Sequence, residues 1–103
     1  MAAHLLVLYN MPSDTTHFEQ YYHGTHIPLA KRFPGLRSFT LSKGAIAAPA
    51  GSAPYYFVAD LAFDSMDAIQ AALTSPEGQA TVRDVPNFAT GGVTIMMYES
   101  QAV

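Results

Sequence analysis

The densest gathering of chemically capable side chains lies between residues 21 and 37, YYHGTHIPLAKRFPGLR, which sets Tyr21, Tyr22, His23, His26, Lys31 and Arg32 around Gly24 and Pro28. Imidazole titrates near neutrality, so a suitably placed histidine is a usable general acid or base, worth roughly 10²–10⁴-fold in rate. His26 stands beside the pre-proline residue Ile27, where the helix is expected to break and release the ring into a cleft. A histidine at such a break serves equally well by hydrogen-bonding a freed carbonyl. His23 precedes His26 by three residues, a spacing that invites a metal reading. A third ligand is lacking, because His17 falls on a different helical face from His23, and no metal is expected.

Other positions qualify as binding groups. Tyr9, Tyr22, Tyr56 and Tyr98 each bring a hydroxyl, although tyrosine also serves as a core residue with a wet tip. Tyr9, Tyr22 and Tyr56 are the candidate ligand-binding tyrosines, and Asn87 and Phe88 either shape a pocket rim or end a helix. Asp60 sits on the mixed face of a strand-like segment, where a carboxylate must be paired, desolvated or at an interface. A structural pair with Arg37 or Lys43 is expected, and His4 and His17 are read as partly exposed polar residues. Gly91-Gly92 precedes a strand and lacks the strand, loop and helix order of a phosphate cradle. No serine, histidine and acid set is assigned as a hydrolase centre.

Composition narrows the field further. The 103 residues are 50% hydrophobic and 13% charged, against about 45–50% and about 25% in an average soluble domain. So little charge implies surface hidden against a partner, most simply in a homodimer. A net charge of −3 with no basic run argues against nucleic acid. The absence of cysteine excludes disulfides, thiolate metal sites and a cysteine nucleophile. No apolar stretch reaches the roughly 20 residues of a membrane span, and the N-terminus lacks the pattern of a signal peptide. A cytoplasmic protein is the expectation.

These side chains need elements to hold them. His4 to Tyr9 reads as a strand buried on both faces. Ser13 or Asp14 caps a helix whose Phe18, Tyr21 and Tyr22 share one stripe, with a kink between residues 24 and 28 and a short helix from Pro28 to about Phe33. Pro34-Gly35 turns the chain into a second strand carrying Phe39 and Leu41. Ala45 to Pro54 is expected to be a flexible connection. Tyr55 to Phe63 is a third strand with two apolar faces, both needing cover. Asp64 or Ser65 caps a helix bearing Met66, Ile69 and Leu73, Ser75-Pro76-Glu77 starts another, and Val93 to Glu99 forms the last strand. This order predicts an α+β, ferredoxin-like βαββαβ domain with a four-stranded antiparallel sheet. Two such sheets paired across a twofold axis give a dimeric α/β barrel.

The segment around THIPL, with its aromatic helix before and Pro-Gly-Leu turn after, resembles the EthD family. Residues 75–88, SPEGQATVRDVPNF, are similar to that family's helix ending in Asp and then Asn-Phe. The resemblance covers nearly the whole chain, as a single domain over residues 1–103. It implies a dimeric ferredoxin-like protein of a family named for accessory involvement in bacterial degradation of ethyl tert-butyl ether by a haem monooxygenase system. Relatives on this fold include lactone isomerases and polyketide cyclases that use a histidine near the first helix without metal or organic cofactor. That histidine is best matched by His26 and more weakly by His23. An acid two residues after Asn-Phe is frequent in the family, whereas this chain has Thr90.

The functional expectation is a cofactor-independent protein that binds a small apolar or aromatic, oxygen-bearing molecule between sheet and helices, with His26 moving a proton. Two alternatives stand beside it, a non-enzymatic carrier serving a monooxygenase system and a cofactor-independent monooxygenase.

Overall fold

Apolar side chains at every second position commit several segments to strands. The computed structural model, which describes residues 2–103, contains β1 (Ala3–Tyr9), β2 (Ser38–Leu41), β3 (Ala47–Ala48), β4 (Gly51–Ser52), β5 (Phe57–Phe63) and β6 (Val93–Glu99). Four of them form one antiparallel sheet in the order β2-β5-β1-β6, and β3 and β4 pair separately. With that small hairpin set aside, the chain has the ferredoxin-like α+β topology. Ala45 to Pro54 is therefore not wholly irregular: Ala47 pairs with Ser52 and Ala48 with Gly51. Two-residue strands lie below the length at which alternation can be read.

The helical layer follows from caps and a proline. Asp14 accepts from the His17 backbone N–H at 3.1 Å and starts α1 (Thr15–Tyr21). Pro28 has no N–H, and its ring crowds the carbonyl four residues back, at Gly24. The chain widens there into a π-helical turn over Tyr22–His26, in which the Ile27 N–H reaches the Tyr22 carbonyl, before α2 (Ile27–Ala30). The expected kink is thus a widened turn, and α2 ends before Phe33. Ser65 caps α3 (Met66–Thr74) through the Ala68 N–H, and Ser75 caps α4 (Pro76–Asp84) through the Gly78 N–H. A single 3-10 turn, Val85–Asn87, follows.

The helices cover one face of the sheet. Ala3, Leu5, Val7 and Tyr9 of β1 and Phe57, Ala59, Leu61 and Phe63 of β5 are buried beneath them. On the opposite face His4, Leu6, Leu8, Val58 and Asp60 are only half-buried, so β1 is not buried on both faces within one chain. Asp60 pairs with neither Arg37 nor Lys43: its carboxylate meets His4 Nδ1 at 2.9 Å. The register explains this, since Asp60 lies opposite Leu6 and so diagonal to His4 on the same face. Arg37 is held instead by Asp64, through two hydrogen bonds of 3.0 and 2.7 Å.

The junction between α3 and α4 sets a steric limit. A Cβ on Gly78 would lie 1.9 Å from the Ala72 carbonyl oxygen, within backbone that cannot yield cheaply. Gly78→Ala gains helix propensity worth roughly 0.5–1 kcal/mol, yet the clash outweighs it and the variant should lose roughly 1–3 kcal/mol. A lowered midpoint of urea unfolding checks this, and an unchanged or raised midpoint contradicts it.

Candidate functional site

Phe18, Tyr22 and His26 recur at four-residue spacing, so α1 and its π-helical continuation present them as one inward column. All three are buried, His26 being only 4% exposed. The imidazole packs against Phe88, with ring centroids 4.6 Å apart, and against Tyr22 at 5.3 Å.

Asp84, the last residue of α4, completes the arrangement. Its Oδ2 receives His26 Nδ1 at 2.9 Å, while Oδ1 accepts from the Tyr21 hydroxyl and from Asn87 Nδ2, the latter at 3.0 Å. Burial pushes this carboxyl up, but the hydrogen bonds from Tyr21, Asn87 and His26 outweigh it and hold Asp84 below the usual carboxylate range. An ionised carboxylate only accepts, so Nδ1 carries the proton and Nε2 holds the lone pair. Burial draws the His26 pKa below its ordinary value, with Asp84 opposing that shift. At neutral pH the ring is therefore uncharged and basic at Nε2.

Nε2 has no protein partner among the described residues, and none of their sealed side-chain nitrogens or oxygens is left unpartnered. This nitrogen is therefore not sealed off, and His26 lines a cavity of about 40 Å³ between the sheet and the helices. Leu5, Val7, Ala59 and Leu61 form its floor, Tyr9 and Tyr22 one end, and Val82 and Ile95 its exposed edge. Burial raises the Tyr9 and Tyr22 hydroxyls well above the usual phenol range; Tyr22 moderates the rise at Tyr9, and Tyr9 adds to the rise at Tyr22. Both hydroxyls therefore remain protonated at neutral pH.

The structure divides the sequence candidates between several places. Tyr9, Tyr22 and His26 line the cavity. Phe88 is buried behind the imidazole, and the Asn87 amide points to Asp84 and Tyr21. His23 is over half exposed and lies 3.7 Å from Glu19, and Tyr56 donates to Glu19 at 2.9 Å; both line a different cleft. Thr90 bonds Ser13 through its hydroxyl. Sequence reasoning gave Asp84 no role. Its signal was an acid at a helix C-terminus, where the helix dipole disfavours negative charge unless donors compensate.

The paired shifts fix a pH dependence. The folded state holds both groups below their unfolded pKa values, so the unfolded chain binds more protons and stability falls on acidification. The His26 contribution is lost below about pH 6.5 and that of Asp84 below about pH 4. Asp84→Asn should destabilise the fold by roughly 1–3 kcal/mol, because donors are left facing a weaker acceptor. It should also lower the His26 titration midpoint further, by removing the group that raises it. Histidine NMR titration alongside urea unfolding tests both, and a raised midpoint would contradict the assigned proton position.

Comparison with known proteins agrees with this architecture. A protein of Rhodococcus erythropolis described as an uncharacterized 11.0 kDa protein in the thcB-thcC intergenic region is 36% identical over 98 residues, or 94% of this chain and 93% of its own. The crystal structure of an ethyl tert-butyl ether d (EthD) family protein from Bacillus halodurans superposes with a TM-score of 0.89 at 31% identity, covering 98% of this chain and 100% of that one. SnoaB from Streptomyces nogalater, described as a cofactor-independent oxygenase, shares the fold with a TM-score of 0.68 at 16% identity, over 99% of this chain and 95% of its own. Ferredoxin-like proteins described as dimeric share it too, at 15% identity. The EthD domain model matches residues 12–92, and the chain belongs to the EthD domain family.

Proposed function

We propose that this EthD protein binds a small apolar or aromatic, oxygen-bearing molecule in the cavity and moves a proton on it with His26. One observation carries the reading: Asp84 holds Nδ1 of His26 at 2.9 Å, so that Nε2 is the free nitrogen of a ring that lines an apolar cavity. In the proposed step, Nε2 takes a proton from carbon that lies between a carbonyl and a carbon–carbon double bond. The electron pair of that C–H bond shifts toward the oxygen, where the Tyr9 and Tyr22 hydroxyls donate hydrogen bonds. Asp84 stabilises the imidazolium until the proton returns at another carbon, which isomerises the substrate. These acid and base groups suffice for that step without an organic cofactor. A cavity of about 40 Å³ is smaller than the roughly 150 Å³ that accommodates benzene. Entry therefore displaces Val82 and Ile95, aliphatic side chains already 44% and 46% exposed.

The test follows the His26 ring nitrogens by NMR while phenol, a simple lactone and a branched alkyl ether are titrated in. A ligand-dependent shift at Nε2 is expected. For a compound that turns over, His26→Gln should lower the rate roughly 10²–10⁴-fold and change affinity little. Binding that moves the tyrosines and leaves Nε2 untouched would favour the carrier reading, and consumption of dioxygen the monooxygenase reading.

A homodimer is part of the proposal. The uncovered sheet face exposes Met96 by 45% and Tyr98 by 42%, beside half-buried Leu6, Leu8 and Val58, and pairing two such faces removes this apolar surface from water. Sedimentation equilibrium at micromolar concentration should return twice the chain mass of 11.1 kDa. Met96→Asp should shift the mass toward one chain, while a monomeric wild type would defeat the dimer.

A further inference from the structure

We propose that the cleft between α1 and the segment from Leu41 to Phe57 is a second binding site, for a small organic carboxylate with an aromatic or aliphatic body. The cleft encloses about 770 Å³, within the roughly 300–1,000 Å³ usual for small-molecule sites. Leu41, Ile46, Tyr55 and Phe57 supply its apolar walls, and Met11, 63% exposed, stands at its rim.

Charge accounting selects the ligand. Apart from the phenols of Tyr55 and Tyr56, three charged or titratable side chains line this space: Glu19, His23 and Lys43. The Glu19 carboxylate is already engaged, with Oε1 accepting from the Tyr56 hydroxyl at 2.9 Å and Oε2 lying 3.7 Å from His23 Nε2. Lys43 makes no ion pair among the described residues. Lys43 is thus the one charged side chain of the lining with neither an ion-pair nor a hydrogen-bond partner among the described residues, and a ligand carboxylate is the group that would pair with it. The site also gives a shared position to His23 and Tyr56, which the proton-transfer reading leaves unused.

The cleft is separate from the His26 cavity. Phe57, which lines the cleft, packs against Tyr22, which lines the cavity, with ring centroids 4.8 Å apart. This aromatic layer makes occupancy of the two spaces separately observable, and the cleft proposal stands whether or not His26 moves a proton.

The test titrates the whole protein with benzoate up to a few millimolar, with benzylamine and phenol as comparison arms, while NMR reports on His23, Tyr55, Tyr56 and His26. Benzoate is expected to shift the first three saturably and to leave His26 unmoved. Lys43→Gln should weaken benzoate about two- to fivefold, and Glu19→Gln should strengthen it by a similar factor, as exposed single charges do. Lys43 is exposed, and Glu19, half-buried, keeps an amide oxygen to accept from Tyr56 when it becomes Gln, so neither change threatens the fold. Preference for benzylamine or phenol, shifts confined to His26, no shift at all, or an affinity indifferent to Lys43→Gln would each overturn the site.

Discussion

The Asp84 carboxylate is the point on which the helical layer converges. It ends α4, where helix carbonyls already concentrate partial negative charge, and an unassisted anion there is unfavourable. Donors from three other stretches remove that penalty: Tyr21 of α1, His26 of the π-helical turn and Asn87 of the 3-10 turn. One anion thereby ties the first helical unit to the second across 58 residues of sequence. The same contact sets the His26 tautomer and fixes its ring orientation. Packing and proton chemistry meet in a single group, so they cannot be varied independently at this position.

Around this anion the core is largely aromatic. Tyr9, Phe18, Tyr22, Phe57 and Phe88 form a mutually packed set of edge-on and tilted rings with one stacked pair, Phe18 on Tyr22, contacts worth roughly 0.5–1.5 kcal/mol per pair beyond area burial. The π-helical turn lets the first helical unit accommodate Pro28 while Phe18, Tyr22 and His26 stay in one column. The column has two consequences for solvent access. His26 and Tyr22 turn toward the closed cavity beneath the helices, whereas His23, one position along, emerges toward the open cleft. Residues adjacent in sequence are thus sorted into spaces of different polarity.

The strands and caps were legible because they rest on local rules, a bounded apolar run for β1, alternation for β5 and β6 and side-chain acceptance for Asp14, Ser65 and Ser75. His26 was legible as a candidate from its titration range and its place beside a helix break. What escaped was whatever depends on distant pairing. Asp84 reads locally as an unremarkable helical acid, and only the fold shows its three donors. Asp60 was assigned the wrong partner because the cross-strand diagonal that brings His4 to it is a property of register, which no single strand reveals. The β3–β4 hairpin escaped because two residues cannot display a period.

The scarcity of charge gains a structural meaning from where the charges sit. Arg37 and Asp64 pair at the surface, and Asp84 is consumed by the helical layer. On the uncovered sheet face the residues of β1 and β5 offer one ionisable pair, His4 with Asp60, with Ser100 Oγ 3.2 Å from His4 Nε2 and the Tyr98 ring stacked 5.0 Å from the imidazole. The surrounding Leu6, Leu8, Val58 and Met96 are non-directional and would tolerate many alignments of two sheets. The polar cluster is hydrogen-bonded within one chain, so it enters such a face already satisfied. In the proposed dimer the apolar residues supply the driving force, and the pairing of His4, Asp60 and Ser100 within each chain lowers the cost of covering these polar groups.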